Sequence, residues 1–278
     1  IESHFNSYGI EYSFTKDLLP ESFEDCIQTN TKLIYIETPS NPLLKLVDIF
    51  AVAKLAKSHE IITAADNTFA SPIVQNPLDL GIDIVMHSAT KYFGGHSDIS
   101  AGAVASSQEI MDKIWNLSKD FGGNLSDYTV WLLERSMKTL GIRVKAQQRN
   151  AKRLAKFLYK HNAVNSVYYP GLKTNEYHSL AKIQMKGFGA MMSFELTSDH
   201  NVEAFLKTLQ LIKPSMSLAG VESTMLLPSK TSHVLLTESD RLSQGITNQL
   251  IRFSVGIENK SDLINDIEQA ISASHTKL

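Results

Sequence analysis

Two kinds of apolar pattern alternate along the chain. Short unbroken runs, Leu33-Ile-Tyr-Ile36, Ile61 to Ala65, Ile82 to His87 and Ala101 to Ala105, are bounded by Gly, Pro, Asn or Asp and predict strands. The run at Leu33 contains no polar position to give it a solvated face. It therefore predicts a strand buried on both sides, as in a parallel sheet. Between the first two runs, Ile49 to His59 predicts a helix with Phe50, Val52, Ala53, Leu55 and Ala56 on one side. Ser126 to His161 predicts a long helical stretch interrupted near Gly141. A strand-like run from Gly189 to Leu196, a helix from Val202 to Leu209, a strand from Leu250 to Val255 and a helix from Asp262 to Ser272 follow. Strands alternating with helices in the first half predict an α/β class with a mostly parallel sheet, and the second half predicts a smaller α+β unit. The division is placed inside the long helix, giving domains 1–143 and 144–278.

In such sheets ligands sit beyond the carboxyl ends of the strands. Asn41, Asp66 and Lys91 each lie at or just beyond such an end, so one pocket can gather all three. The run Ile82 to His87 leads into Ser88-Ala-Thr-Lys91, and Gly94-Gly95 then permits a sharp turn. Desolvation at the end of a buried strand disfavours the charged lysine, which leaves the amine nucleophilic. Hydroxyls at Ser88 and Thr90 are suited to hold a phosphate, and the combination serves a lysine Schiff base to pyridoxal phosphate. Taken alone, Ser-Ala-Thr-Lys is more often an ordinary surface lysine after a strand. Asp66, a lone acid after Ile61-Ile-Thr-Ala-Ala, reads either as a turn cap or as the partner of a protonated ring nitrogen. Asn41 in Ser-Asn-Pro is by itself a turn residue. Arg252 stands in the apolar Leu-Ile-Arg-Phe-Ser-Val, where an unpaired guanidinium is costly; its planar fork matches a carboxylate ligand.

Composition narrows the classes further. The chain is 43% hydrophobic and 20% charged with a net charge of −2, and it has no basic run. Nucleic acid and anionic membrane surfaces are therefore not its expected partners. No apolar run approaches the roughly 20 residues of a membrane span. The one cysteine, Cys26, excludes an internal disulfide and fits a cytoplasmic location. It lies in a polar, helical-looking segment away from the motifs and is not expected to be a catalytic thiol. His87, His96 and His233 are widely separated and lack metal-ligand spacing, so no metal is expected. Gly94-Gly95 is not part of a nucleotide-binding glycine fingerprint.

The segment Asp83-Ile-Val-Met-His-Ser-Ala-Thr-Lys-Tyr-Phe-Gly-Gly-His-Ser-Asp98 resembles the cofactor-lysine signature of the Cys/Met-metabolism (transsulfuration) family of pyridoxal phosphate enzymes. Glu37-Thr-Pro-Ser-Asn-Pro42, Asp66-Asn-Thr-Phe69, Gly220-Val-Glu-Ser223 and Ile251-Arg-Phe-Ser-Val-Gly-Ile-Glu258 resemble further motifs of that family, in its order. The family comprises cystathionine γ-synthase, cystathionine β- and γ-lyases, methionine γ-lyase and O-acylhomoserine sulfhydrylases. The resemblance implies an aspartate-aminotransferase-like fold (fold type I) and pyridoxal 5'-phosphate as cofactor. It implies Lys91 as cofactor anchor and catalytic base, Asp66 at the ring nitrogen, Asn41 at the 3-oxygen, and Ser88 and Thr90 at the phosphate. It further implies Arg252 and the Ser223 backbone at the substrate carboxylate. Lys138-Thr-Leu and Arg143 are similar to the family's helix linking large and small domains.

The expected reaction is γ-elimination or γ-replacement on a cystathionine- or homoserine-type amino acid. Val221 and the Thr231-Ser-His233 segment lie where substrate choice is made. A lyase and a synthase share all these motifs, so the choice between them stays open. The family's homotetramer, a dimer of dimers, is the expected assembly. The chain opens Ile-Glu-Ser-His, and the resemblance leads us to expect an N-terminally incomplete sequence. A non-catalytic binding protein that keeps the fold is the reading from another class; it predicts decay at Lys91, Asp66 or Arg252, and all three are present.

Overall fold

The computed structural model describes residues 2–276. After two short helices, α1 (Glu2–Phe5) and α2 (Pro20–Glu24), the chain builds its first sheet from β1 (Leu33–Glu37), β2 (Ile62–Asp66), β3 (Ile84–Ser88) and β4 (Gly102–Ser106). The strand order is β1-β2-β3-β4; the first three are parallel and β4 is antiparallel to β3. Helix α3 (Ile49–Ser58) makes the crossover from β1 to β2. Asp48 caps it by accepting the Ala51 N–H at 2.9 Å. Its buried face is Ile49, Val52, Ala53 and Ala56, packed with Ile34, Ile36, Ala65 and Val85 of the sheet. Phe50, expected on the inward side, is 65% exposed because it lies one helical step round from Ile49.

The expectation that β1 is buried on both faces is corrected. Its residues alternate, with Ile34 and Ile36 buried and Leu33 and Tyr35 exposed at 48% and 42%. Register places Leu33 beside Ile62, Asp66 beside Met86, and Met86 beside Val104, so the exposed members of all four strands share one face. Helix α3 covers the opposite face only. Apolar content therefore marked a strand designed for two covered faces, of which the described residues cover one.

Helices α4 (Gln108–Phe121), α5 (Asp127–Met137) and α6 (Leu140–Lys160) follow. The expected interruption near Gly141 falls earlier, at Lys138-Thr139, and Gly141 is the second residue of α6. There the Thr139 N–H and hydroxyl both reach the Ser136 carbonyl at 3.2 Å, a local competition that ends α5. Helix α6 buries Leu140, Val144, Ala151, Leu154, Ala155 and Leu158 along one stripe. The second sheet comprises β5 (Val164–Tyr168), β6 (Met191–Leu196), β7 (Lys213–Pro214), β8 (Thr224–Leu226) and β9 (Leu250–Ser254), ordered β5-β6-β9-β8-β7. Only β7 and β8 are parallel in it. Helices α7 (His178–Gln184), α8 (Val202–Thr208), α9 (Glu238–Ser243) and α10 (Lys260–Ser274) complete the fold.

Every residue of β6 and of β9 is buried. The main core is continuous from Tyr92 and Phe93, after β3, through Val144 and Leu154 of α6 to Met192 and Phe253 of the second sheet. Position 143/144 thus lies in the first turn of α6, within that shared core. No helix among the described residues is long and apolar enough to cross a membrane.

Candidate active site

Strand β3 ends at Ser88, and residues 89–95 form a tight turn closed by Lys91 N–H to Ser88 O (3.0 Å), Gly94 N–H to Ala89 O (2.8 Å) and Gly95 N–H to Lys91 O (2.7 Å). Ala89, Tyr92 and Phe93 are buried in the core, which pins the turn and leaves Lys91 half-buried above it. Burial, and then the nearby Arg252 guanidinium, hold the Lys91 amine below the ordinary lysine range. More of it is consequently neutral, and nucleophilic, at a given pH.

Arg252 comes from the centre of the second sheet and is 4% exposed. It donates from Nη1 to Asn41 Oδ1 (3.2 Å) and from Nη2 to Met216 O (3.0 Å). No acidic group among the described residues pairs with it, and burial brings it down to about 10. Asn41 follows β1 in a loop tied to both sheets. Its N–H donates to Glu37 Oε1 (3.1 Å), and Ser193 Oγ of β6 donates to the next residue's carbonyl, Pro42 O (2.7 Å). Asn41, Lys91 and Arg252 are thereby brought together.

Asp66 is the last residue of β2, paired in register with Glu37 and Met86 on the sheet face left open. Its Oδ1 accepts the Thr68 N–H at 2.8 Å, so the turn-cap reading is also met. Its charge is felt by its neighbours. Burial first and Asp66 second push the Glu37 carboxyl up to about 7 and the Tyr35 phenol up to about 12. His87, stacked on Phe93 at 4.7 Å, is driven down to about 4 by burial, against the pull of Asp66. Ser88, two residues beyond Met86 on the same face, gives its N–H to Thr68 Oγ1 (2.8 Å). Its hydroxyl has no protein partner among the described residues.

Two expected contacts are already engaged. The Thr90 hydroxyl accepts the Ala101 N–H (2.9 Å) and reaches the Ala101 carbonyl (3.3 Å), so it must turn its hydrogen away from Ala101 to serve a phosphate. Ser223 is fully buried, with N–H on Glu258 Oε1 (2.6 Å) and Oγ on Glu258 Oε2 (2.9 Å). Its backbone N–H reaches a substrate only if Glu258 releases it.

Glu37 and Glu258 were not singled out as site residues from sequence, whereas His233 was named in the segment of substrate choice. Glu37 joins Asn41 to the Asp66 row, Glu258 holds Ser223, and His233 lies beside Arg252 and the Asn41 backbone, with burial foremost in lowering its pKa. The Glu-Thr-Pro-Ser-Asn-Pro and Gly-Ile-Glu strings held the first two in plain view, but only as neighbours of other residues. Among the described residues no set of three or more His, Cys, Asp or Glu is placed to hold a metal.

The donor set fits pyridoxal phosphate and an amino acid. Among the described residues it offers an amine with weakened hold on its proton, a strand-end carboxylate, an uncommitted hydroxyl and a buried guanidinium lacking an acid. The profile described as Cys/Met metabolism PLP-dependent enzyme matches residues 1–272. The chain is 46% identical over 267 residues to cystathionine gamma-lyase of Bacillus subtilis (strain 168), an alignment covering 96% of this chain and 70% of that protein. It is 44% identical over 264 residues to cystathionine beta-lyase of Lactococcus lactis subsp. cremoris (strain MG1363), covering 95% and 70%. The crystal structure of cystathionine gamma-lyase from Lactobacillus plantarum complexed with L-serine superposes with a TM-score of 0.96 at 42% identity, over 98% of this chain and 72% of that one. A match of this length runs through every loop that meets around Lys91, and the chain belongs to the Cys/Met-metabolism family of pyridoxal phosphate-dependent enzymes, with their α/β, fold type I architecture.

Proposed function

We propose that this enzyme of sulfur amino acid metabolism acts at the γ-carbon of cystathionine- or homoserine-type substrates, with elimination of a thiol from cystathionine as its main reaction. Bound pyridoxal phosphate supplies an electron-withdrawing ring that makes the substrate Cα–H acidic. Lys91 would hold the cofactor through its amine and would serve as the base at the substrate Cα; its lowered pKa supports both roles. Asp66 would keep the ring nitrogen protonated, Asn41 would hold the 3-oxygen, and Ser88 with Thr90 would bind the phosphate. Arg252 clamps the substrate carboxylate, with Ser223 beside it.

The observation that carries this reading is Arg252, buried without an acidic partner among the described residues and directed at Asn41 near Lys91. An incoming carboxylate is the partner that such a guanidinium lacks.

The division into a cofactor domain (1–143) and a smaller domain carrying Arg252 (144–278) belongs to the same proposal, supported by the two separate sheets. So does a homotetramer, supported by the exposed apolar side chains of α4 and α5, and a cytoplasmic location, supported by the single free cysteine. The test is a product analysis with cofactor-loaded enzyme and cystathionine. Cysteine with 2-oxobutanoate and ammonia is expected; homocysteine with pyruvate and ammonia moves the assignment to β-elimination. If O-acylhomoserine plus cysteine is the only productive mixture, replacement is the main reaction. Lys91→Ala is expected to abolish borohydride trapping of cofactor on the protein. Trapping on another lysine overturns the site.

A further inference from the structure

Arg143 lies in the first turn of α6, is 5% exposed, and has no acidic partner among the described residues. Its guanidinium is divided among four neutral acceptors. Nε donates to Thr139 Oγ1 (3.1 Å), Nη1 to Tyr92 O (2.8 Å), and Nη2 to Phe93 O (3.2 Å) and Ser136 O (2.9 Å). Tyr92 and Phe93 are the two residues directly after Lys91. Their carbonyls receive no backbone N–H among the described residues and take donors from elsewhere, as at a helix C-terminus, where a basic side chain is favoured. An apolar side chain of similar volume fills such a site without desolvating a charge. The bonds to the turn are therefore what the arginine adds.

Gly95 is matched to it. Its φ is +69°, and a Cβ there would lie 1.9 Å from Arg143 Nη1. From the other side, the Val221 N–H donates to Gly95 O (2.9 Å), so the lysine turn is gripped between α6 and the strap that carries Ser223.

We propose that Arg143 is a positioning residue for the cofactor lysine. By holding the Tyr92 and Phe93 carbonyls from the α5–α6 junction, it sets where the Lys91 amine stands relative to Asp66 and Arg252. This rests on Lys91 being the anchor.

The test compares cofactor-loaded parent, Arg143→Met, Arg143→Lys and Gly95→Ala, with Lys91→Ala as control. The readouts are the pH midpoint of the bound cofactor's visible absorbance, borohydride trapping on the Lys91 peptide, and kcat and KM. Arg143→Met is expected to fold, to shift the midpoint, and to lose on the order of 10–100-fold in kcat with KM little changed, the scale of a small misplacement of a reacting group. Arg143→Lys restores part of both, and Gly95→Ala moves the midpoint the same way by displacing Nη1. A folded Arg143→Met with parental midpoint and kcat overturns the proposal. If Arg143→Met does not fold, parental midpoints in both Arg143→Lys and Gly95→Ala overturn it. Trapping that persists in Lys91→Ala refutes the anchor assignment itself, an outcome separable from the role of Arg143.

Discussion

Asp66 is a single charge at the end of an apolar strand, and its proposed role is electronic rather than steric. Asp66→Asn keeps the shape and the bond to the Thr68 N–H while removing the charge. A loss of about 10²-fold or more in kcat is expected, the scale of deleting one preorganised electrostatic partner; steady-state kinetics with saturating cofactor checks it. His87 makes a prediction about pH. Its folded pKa of about 4 lies below the unfolded value near 6.5, so the unfolded chain binds more protons between the two. Its contribution to stability is therefore present above about 6.5 and is lost as pH falls towards 4, by at most about 3 kcal/mol. Denaturant titrations at several pH values should give a shallower acid loss for His87→Gln than for the parent. An identical slope would mean that another group governs the acid limb. Glu37, raised from 4.5 to about 7, has the opposite sign: its contribution is fully present below about 4.5 and is lost as pH rises towards 7.

At the scale of elements, α6 carries two unlike tasks on one helix. Its stripe from Leu140 to Leu158 closes the core, whereas Arg143 and Gln147 on the same buried side reach polar backbone: Arg143 the lysine turn and Gln147 the Gly220 carbonyl (2.7 Å). Leu154→Ala removes a fully buried side chain remote from those bonds. It is expected to cost about 2–5 kcal/mol of stability while the cofactor absorbance stays parental. Denaturation and the visible spectrum of one sample read both. The exposed apolar positions of α4 and α5 carry the assembly reading. Trp115 and Phe121 of α4 and Tyr128 and Trp131 of α5 are 61%, 84%, 69% and 55% exposed, although Ile110, Ile114, Leu117 and Phe121 follow a helical stripe. Such a stripe calls for a covering partner. Replacing Trp115 and Trp131 with Glu should shift the species seen by light scattering towards smaller assemblies; an unchanged mass removes these helices from the interface.

Across the whole molecule, the division between what was legible and what was not follows the range of the interactions. Strands β1 to β4, β6 and β9 and helices α3, α6, α8 and α10 were readable because period and turn residues are local properties. The same local pattern placed Asn41, Asp66, Ser88, Thr90 and Lys91 at or just beyond strand ends, whereas their proposed roles came from the family resemblance. Strand β5, with its mixed Val-Asn-Ser-Val-Tyr, and the two- and three-residue strands β7 and β8 carry no such period and form by pairing with what is already placed. The sequence by itself determined the fold class, the family and the chemical inventory of the site. Only the tertiary structure decided which of those groups are free to react. Ser223 is committed to Glu258, 35 positions away, Arg143 grips the turn at Tyr92, 51 positions away, and one sheet face stands open. A hydrogen bond between side chain and distant backbone depends on two elements meeting at about 3 Å, and that meeting is a property of packing that no local pattern records.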